Sequence, residues 1–274
     1  MAFKELGKSL GKTLGTVLDE DVLLSDPVRA LYRRDASGAD SMFDADYVAT
    51  DPLTGKVAAF IDYYDASHVL AQGALGAQVA LPAADALLSS QKTATFSGTH
   101  YYTSSRPASA WTHLHNGAGC EIVLVGVLQT TGIEIPWSTK DSAGPPAGAY
   151  GIFNATPQVG YNIGNGGGAT VNAFYSPGAP LNTATYVSWS LLGAASAASR
   201  FQVRVKGALI ADATSAVGGT GVTPAATFRL GGDSTGAFLA RYRFRALHVF
   251  RRRLSSAERA TLQASILSRY GIAA

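Results

Sequence analysis

Two histidines one residue apart, His113 and His115, and three aspartates within eight residues, Asp44, Asp46 and Asp51, are where this chain could hold a metal ion. On an extended segment a His-x-His pair points both imidazoles one way, here together with Trp111. Two nitrogens fill only half of a tetrahedral zinc shell, and no third His, Cys or Glu stands at a recognisable spacing. Calcium needs roughly six to eight oxygens, and the aspartate spacing matches no EF-hand loop and lacks a glycine at the bend. The histidines are therefore expected to be hydrogen-bonded structural groups ahead of a turn at Asn116-Gly117, and the aspartates to sit in surface turns. No metal and no cofactor is expected, with calcium as the alternative.

Raw material for covalent catalysis is scarce. The chain has one cysteine, Cys120, and five histidines, without a Gly-x-Ser-x-Gly elbow or a phosphate loop, and Gly164 to Gly168 follows no strand-to-helix pattern. Glycoside hydrolysis uses two carboxylates flanking the scissile bond, and no such pair is legible. A net charge of +3 is too small to imply nucleic acid, but the charge is uneven: from Arg241 to the end there are eight arginines and one acidic residue. Arg241, Arg243 and Arg245 alternate along one strand, as do Arg200, Gln202, Arg204 and Lys206 along another. If those strands are neighbours, they form one cationic face, either solvated or docked on an anionic partner.

The elements that must position these groups are clearest at the C-terminal end. Tyr242, Phe244, Ala246, His248 and Phe250 fall on one face of a strand from Arg241 to Arg251, opposite the arginines, Leu247 and Val249. Ser255 and Glu258 then form a capping box, Leu262, Ile266 and Tyr270 recur every four residues, and Gly271 stands at the left-handed stop, predicting a helix from about Ser256 to Tyr270. Residues 121–129 (EIVLVGVLQ) are apolar on both faces, which places this strand inside the sheet, covered on both sides. Further strands are expected at 57–62, 93–97, 149–153, 159–163, 169–175, 186–192 and 201–205, with Lys206-Gly207 turning the last into 208–211. With 30 glycines and 15% charged residues, the composition suits many short strands joined by turns.

Leucine-Gly-Gly, a glycine turn, the alternating strand, Leu-Ser-x-x-Glu and a helix ending in Tyr-Gly-Ile resemble the C-terminal end of concanavalin A-like, laminin G-like jelly-roll domains of bacterial and phage proteins. Residues 94–98 (ATFSG), 111–117 (WTHLHNG) and 200–206 (RFQVRVK) match in the same order, so the resemblance covers roughly Pro27 to Ile272. It implies an all-β, antiparallel sandwich (jelly roll) with a C-terminal α-helix, over 27–274, preceded by a short helical or extended N-terminal arm over 1–26. The Glu-x-Asp-x-x-Glu motif of laminarinase-like members of that group is missing.

In the arm, Leu6, Leu10, Leu14 and Leu18 recur every four residues with Gly7, Gly11 and Gly15 beside them, a stripe that would order only against a partner. No apolar run of about 18 residues occurs, and Lys4, Lys8 and Lys12 interrupt the N-terminus, so no signal peptide is expected. From 133 to 181, prolines and glycines punctuate short strands, and Trp137, Tyr161 and Tyr175 lie in or near the loops, where rings could stack on sugars. The reading that joins the arm, the phage resemblance and the missing signal is a non-enzymatic virion decoration, fibre or tail component. It would assemble in a host cytoplasm as a homo-oligomer, docked through the leucine stripe and Arg241, Arg243 and Arg245. The alternative is a carbohydrate-binding module using Trp137, Tyr161 and Tyr175; a glycoside hydrolase ranks third.

Overall fold

A computed structural model describes residues 28–272 except 36–37, 116–118, 130–131, 142–146, 155–157, 166–169, 176–178, 193–198, 216–225 and 237. The expected arm, with Leu6, Leu10, Leu14 and Leu18, lies outside the described residues. A short ribbon pairs β1 (Arg34–Asp35) with β2 (Gly38–Ala39). The main sheet runs through β3 (Ser41–Thr50), β4 (Val57–Asp62), β5 (Asp65–Ala71), β6 (Ala83–Asp85), β7 (Gln91–Ser97), β8 (Tyr102–Ser104) and β9 (Cys120–Leu128). It continues through β10 (Glu134–Ser138), β11 (Ala147–Phe153), β12 (Val159–Asn165), β13 (Thr170–Tyr175), β14 (Ala184–Leu192), β15 (Ser199–Val205), β16 (Ala208–Ser215), β17 (Arg229–Leu230) and β18 (Arg241–Phe250). The hydrogen-bonded order is 13-12-11-10-17-8-5-4-3-18-9-14-15-16, with β7 on the first half of β18 and β6 beyond it, and every strand pair is antiparallel. The ribbon closes over itself as a sandwich: Trp137 on β10 packs against Tyr161 on β12 and also against Trp189 on β14, far away in strand order, at ring distances of 5.6 and 5.8 Å.

β9 is buried along its whole length, as its two-sided apolar pattern requires. Ile122, Leu124 and Leu128 enter the inter-sheet core with Phe43, Phe60, Phe96 and Trp189, while Val123, Val125 and Val127 enter a second core beneath the C-terminal helix α1 (Ser256–Tyr270). That helix begins at the expected capping box, Ser255 Oγ accepting from Glu258 N and Ser255 N donating to the Glu258 carboxylate, and it ends at Gly271 with φ 61°. Its buried stripe is Leu262, Ile266 and Tyr270.

The strict alternation expected along β18 does not hold, because Arg245 is a bulge. Phe244 pairs with Gly126 and Ala246 with Val125, so Arg245 has no opposite number on β9. One extra residue reverses the facing of everything after it: Tyr242 and Phe244 point into the inter-sheet core, then Leu247 and Val249 do, and Ala246 and Phe250 turn outward under α1. Gly126 makes the bulge possible, since a Cβ there would lie 2.2 Å from the Arg243 carbonyl oxygen. Gly126→Val should cost about 3 kcal/mol or more by overpacking a site where neither strand can give; urea unfolding measures it, and a loss under about 1 kcal/mol would show that the strands can separate there.

Three local expectations are corrected. Trp111 and His113 lie on a 3-10 helix, Ala108–Leu114, and His115 caps it, so the three do not share the face of an extended segment. Asp26-Pro27 could start a short helix through about Arg34, proline at its first position losing no bond, but the structure has only a single 3-10 turn there, Arg29–Leu31. β15 stands three places from β18, with β9 and β14 between, so Arg204 and Lys206 do not share a cationic face with the β18 arginines. The Lys206-Gly207 turn is as expected, with both residues at positive φ (50° and 81°) between Val205 and Ala208.

Candidate functional site

The residues singled out from the sequence do not converge on a site. Trp137 and Tyr161 are both 0% exposed and plug the sandwich core, correcting their assignment to sugar stacking. The Tyr161 hydroxyl donates to the Leu114 carbonyl at 2.7 Å, and a Cβ at Gly151 would meet the Trp137 ring at 2.4 Å, so this glycine makes room for the indole. Aromatics on alternate positions of a two-layer fold face the core before they face a ligand. Tyr175 sits on β13 opposite Val159, and its side chain lies outside the described residues.

The arginines proposed for docking are consumed inside the chain. Arg241 pairs with Glu134 at 3.2 Å, Arg243 with Asp85 at 2.9 Å, and Arg245 with Asp44 at 3.0 Å and Asp46 at 2.7 Å. Carboxylates from β10, β6 and β3 thus neutralise the stripe. The same contacts remove the calcium alternative: Asp44 and Asp46 hold a guanidinium, and Asp51 accepts from Leu53 N, Thr54 N and the Gln78 amide. Among the described residues no group of three or more His, Cys, Asp or Glu is arranged to hold a metal ion, and no helix is long and apolar enough to cross a membrane.

What the fold does assemble is a cluster of four half-buried tyrosines around the β4–β5 turn. Tyr63 and Tyr64 are the two turn residues between β4 and β5. Tyr47 of β3 packs edge-on to Tyr63 at 4.4 Å, Tyr63 to Tyr64 at 5.0 Å, and Tyr32 against Tyr64 at 4.3 Å. The guanidinium of Arg269, in the last turn of α1, lies 6.0 Å from the Tyr63 ring centre and 5.7 Å from that of Tyr270. All four tyrosines reach the surface in part. Tyr32 turns its hydroxyl inward to His248 Nδ1, and burial pushes its pKa well up. Burial and the neighbouring Tyr63 hydroxyl also raise Tyr47.

The turn is held from below by a buried polar chain. Asp62 Oδ1 accepts from Met42 N at 3.2 Å and Tyr64 N at 3.1 Å, and Tyr63 N donates to the Met42 carbonyl at 2.7 Å. The other oxygen of Asp62 meets His68 Nδ1 at 2.9 Å, and His68 Nε2 meets Ser104 Oγ at 3.1 Å. This is the order of groups in a serine hydrolase triad. Here Asp62, His68 and Ser104 are 1, 1 and 7% exposed, and His68 lies between Phe43 and Trp111, so the chain functions as a clamp. Burial draws the His68 pKa down, against the attraction of Asp62, which keeps the ring neutral, donating to Asp62 and accepting from Ser104.

No protein-family model matches this sequence, and no curated protein matches it at a significant level. Solved structures match its fold. A Trypanosoma rangeli sialidase in complex with 2,3-difluorosialic acid aligns over 82% of this chain and 32% of its own, with TM-score 0.52 and 14% identity. A mutant of that sialidase displaying trans-sialidase activity gives TM-score 0.51 and 15% identity over the same shares. The Ruminococcus gnavus IT-sialidase CBM40 aligns over 56% of this chain and 87% of its own, with TM-score 0.43 and 14% identity. This chain spans about a third of the trypanosomal enzyme. At these identities the likeness to the sialidase structures is one of fold, an antiparallel β-sandwich.

The sequence held one overlooked signal for the tyrosine cluster. Residues 62–65 read DYYD, and tight turns ordinarily take Gly, Asn, Asp or Pro, which supply positive φ or side-chain caps. Two tyrosines at a turn answer no need of the turn itself. Their partners Tyr32, Tyr47 and Arg269 are brought in by tertiary contacts only.

Proposed function

We propose that this protein is a carbohydrate-binding β-sandwich that holds a glycan on the Tyr32, Tyr47, Tyr63 and Tyr64 cluster without transforming it. The observation that carries this reading is a cluster of four partly exposed tyrosines, two of them, Tyr63 and Tyr64, on a turn whose backbone does not need them. Sugar rings offer apolar C–H faces to aromatic rings and hydroxyls to phenol oxygens, and Arg269 adds donors at the edge. The clamp beneath fixes the rings before the ligand arrives, which lowers the ordering cost of binding. Binding without turnover is the reading because the carboxylates beside the cluster are already engaged, Asp44 and Asp46 by Arg245, Asp62 by His68 and Asp65 by Arg106. The sandwich likeness to sialidases supports the scaffold and leaves the ligand open. A virion partner gains no support: its leucine stripe lies outside the described residues, and its arginines are paired within the chain.

A glycan array on the purified protein, followed by calorimetry on the best saccharide, tests this. Tyr63→Ala and Tyr64→Ala should each weaken binding about tenfold, the loss of one stacked ring, with a loss of about 1 kcal/mol in stability from the ring contacts each removes. Binding indifferent to both replacements would remove the platform, and turnover of a bound saccharide would remove the non-catalytic reading.

A further inference from the structure

A basic surface adjoins the tyrosine cluster on the side of Tyr32. That residue stands between Arg29 and Arg33, both exposed, where the 3-10 turn Arg29–Leu31 gives way to extended chain. The segment is tied to the loop between β18 and α1. Arg33 N and Arg251 N both donate to Asp40, at 2.9 and 2.7 Å, and Arg252 Nη2 donates to the Leu31 carbonyl at 2.8 Å. Arg253, exposed, follows in the same loop. Contacts then run from the first turn of α1 to its last: Arg252 meets Glu258, Tyr32 packs on Tyr64, Tyr64 on Tyr63, and Tyr63 lies beside Arg269. A helix of 15 residues is about 22 Å long, so the course is longer than one sugar ring.

The described carboxylates on this side do not offset the charge. Asp40 is 2% exposed and its oxygens take the two backbone N–H groups, while Glu258 serves the helix cap and Arg252. Asp46 and Asp65, beside the tyrosines, are paired with Arg245 and Arg106. Arg241, Arg243 and Arg245 each have a carboxylate of their own, but among the described residues the guanidiniums of Arg29, Arg33 and Arg253 meet no acceptor. Like charges gathered on one surface repel, and an anionic partner relieves that repulsion. A guanidinium offers a planar fork that takes two oxygens of one anionic group. The tyrosines narrow the choice of partner. Tyr47 and Tyr64 stand at 79° and 76° to Tyr63, which leaves no flat run of ring faces for stacked bases, whereas sugars offer C–H faces and hydroxyls to a corrugated surface.

We propose that the glycan held by this cluster is a linear polyanion, a polysaccharide with sulfate or carboxylate groups on successive sugars, its rings on Tyr32, Tyr63 and Tyr64 and its charges on Arg29, Arg33 and Arg253. The inference rests on the glycan reading and names the ligand class of that site.

Dextran sulfate and polygalacturonate, one for each anionic group, are titrated into the full chain beside uncharged dextran and single-stranded polythymidylate. At least one of the acidic polysaccharides should bind about tenfold or more tightly than dextran and polythymidylate, and should lose about tenfold between about 50 and about 500 mM salt. Arg33→Ser and Arg253→Ser alter exposed side chains, so both should keep the parent melting temperature, and together they should weaken binding about tenfold. Tyr64→Ala should weaken it as strongly. Tyrosine-dependent binding of neutral saccharides, indifferent to salt and to the arginine variants, would overturn the acidic ligand and leave the glycan platform standing; so would a failure of both acidic polymers to bind while an array saccharide does. Polythymidylate bound as tightly as the polysaccharides, or acidic polysaccharide binding that ignores Tyr64→Ala, would show charge acting alone and overturn the proposal together with the platform.

Discussion

Lowering the pH from about 7.5 to 5 should remove about 4 kcal/mol of stability through two histidines alone. His113 and His248 are each held at a pKa of about 3, against an ordinary value of 6.5. Burial is the main cause for both, reinforced by Arg251, His115 and Arg106 around His113 and by Arg269 near His248. Both folded-state values are depressed, so the unfolded chain takes up protons that the folded chain refuses. The stability they contribute is therefore complete above pH 6.5, falls as pH drops through 6.5, and goes on falling toward 3 at about 1.4 kcal/mol per unit for each group. From 6.5 to 5 that is about 2 kcal/mol per histidine, a large share of the 5 to 15 kcal/mol typical of a domain. His68, also lowered, acts in the same direction. Asp40 and Asp44, both raised by burial, act oppositely, because protonation at still lower pH relieves their desolvation. Urea midpoints between pH 7.5 and 5 give the slope, and His113→Leu should flatten it by roughly half. A flat profile over that window would show that the buried imidazoles reach water in the native state.

The second large effect is expected from Arg245→Met. The Asp44 carboxylate is 0% exposed, and Arg245 is its close cationic partner at 3.0 Å, with Arg269 at 3.9 Å. Arg245 also donates to the Lys92 carbonyl at 3.0 Å and lies 5.1 Å from the Tyr270 ring centre, so one side chain joins β3, β7, β18 and α1. Removing a single partner of a buried pair leaves an uncompensated charge and costs about 3 to 5 kcal/mol. Burial already raises Asp44 against the pull of Arg245, so the penalty should shrink as pH falls into the carboxylate range and Asp44 takes a proton. Adding Asp44→Asn should recover much of the loss at neutral pH, and a double-mutant cycle isolates the coupling. A single-variant cost below about 1 kcal/mol would mean that water or Arg269 compensates Asp44 unaided.

Arg245 also marks where local reading fails. Alternation from Arg241 to Phe250 is real over its first four residues, and the phase then inverts, because Gly126 on β9 leaves space for a bulge that nothing within β18 announces. The same holds for the charges. Eight arginines near one end look like a surface for an anionic partner until Glu134, Asp85, Asp44 and Asp46, between about 107 and 201 positions earlier in the chain, arrive beside them. Trp137 and Tyr161 illustrate the converse, since their neighbourhood of prolines and glycines suggested loops while their strands carry them into the core.

What the amino-acid sequence determined by itself is what local interactions decide. The Ser255–Glu258 box and Gly271 bound the helix, Lys206-Gly207 turns a hairpin, and a strand apolar on both faces must be covered on both. From these follow the terminal helix, a hairpin and a doubly covered strand, while the all-β sandwich was what the resemblance to concanavalin A-like domains implied. The tertiary structure alone decided which carboxylate meets which arginine, that a bulge reverses β18, and that Tyr32, Tyr47, Tyr63, Tyr64 and Arg269 share one surface. Caps and turns are settled among residues within a few positions of each other, where the chain has few alternatives. Pairings across a hundred residues or more are chosen by which whole arrangement buries the most apolar surface with the fewest unpaired polar groups, a condition that no short window of sequence contains.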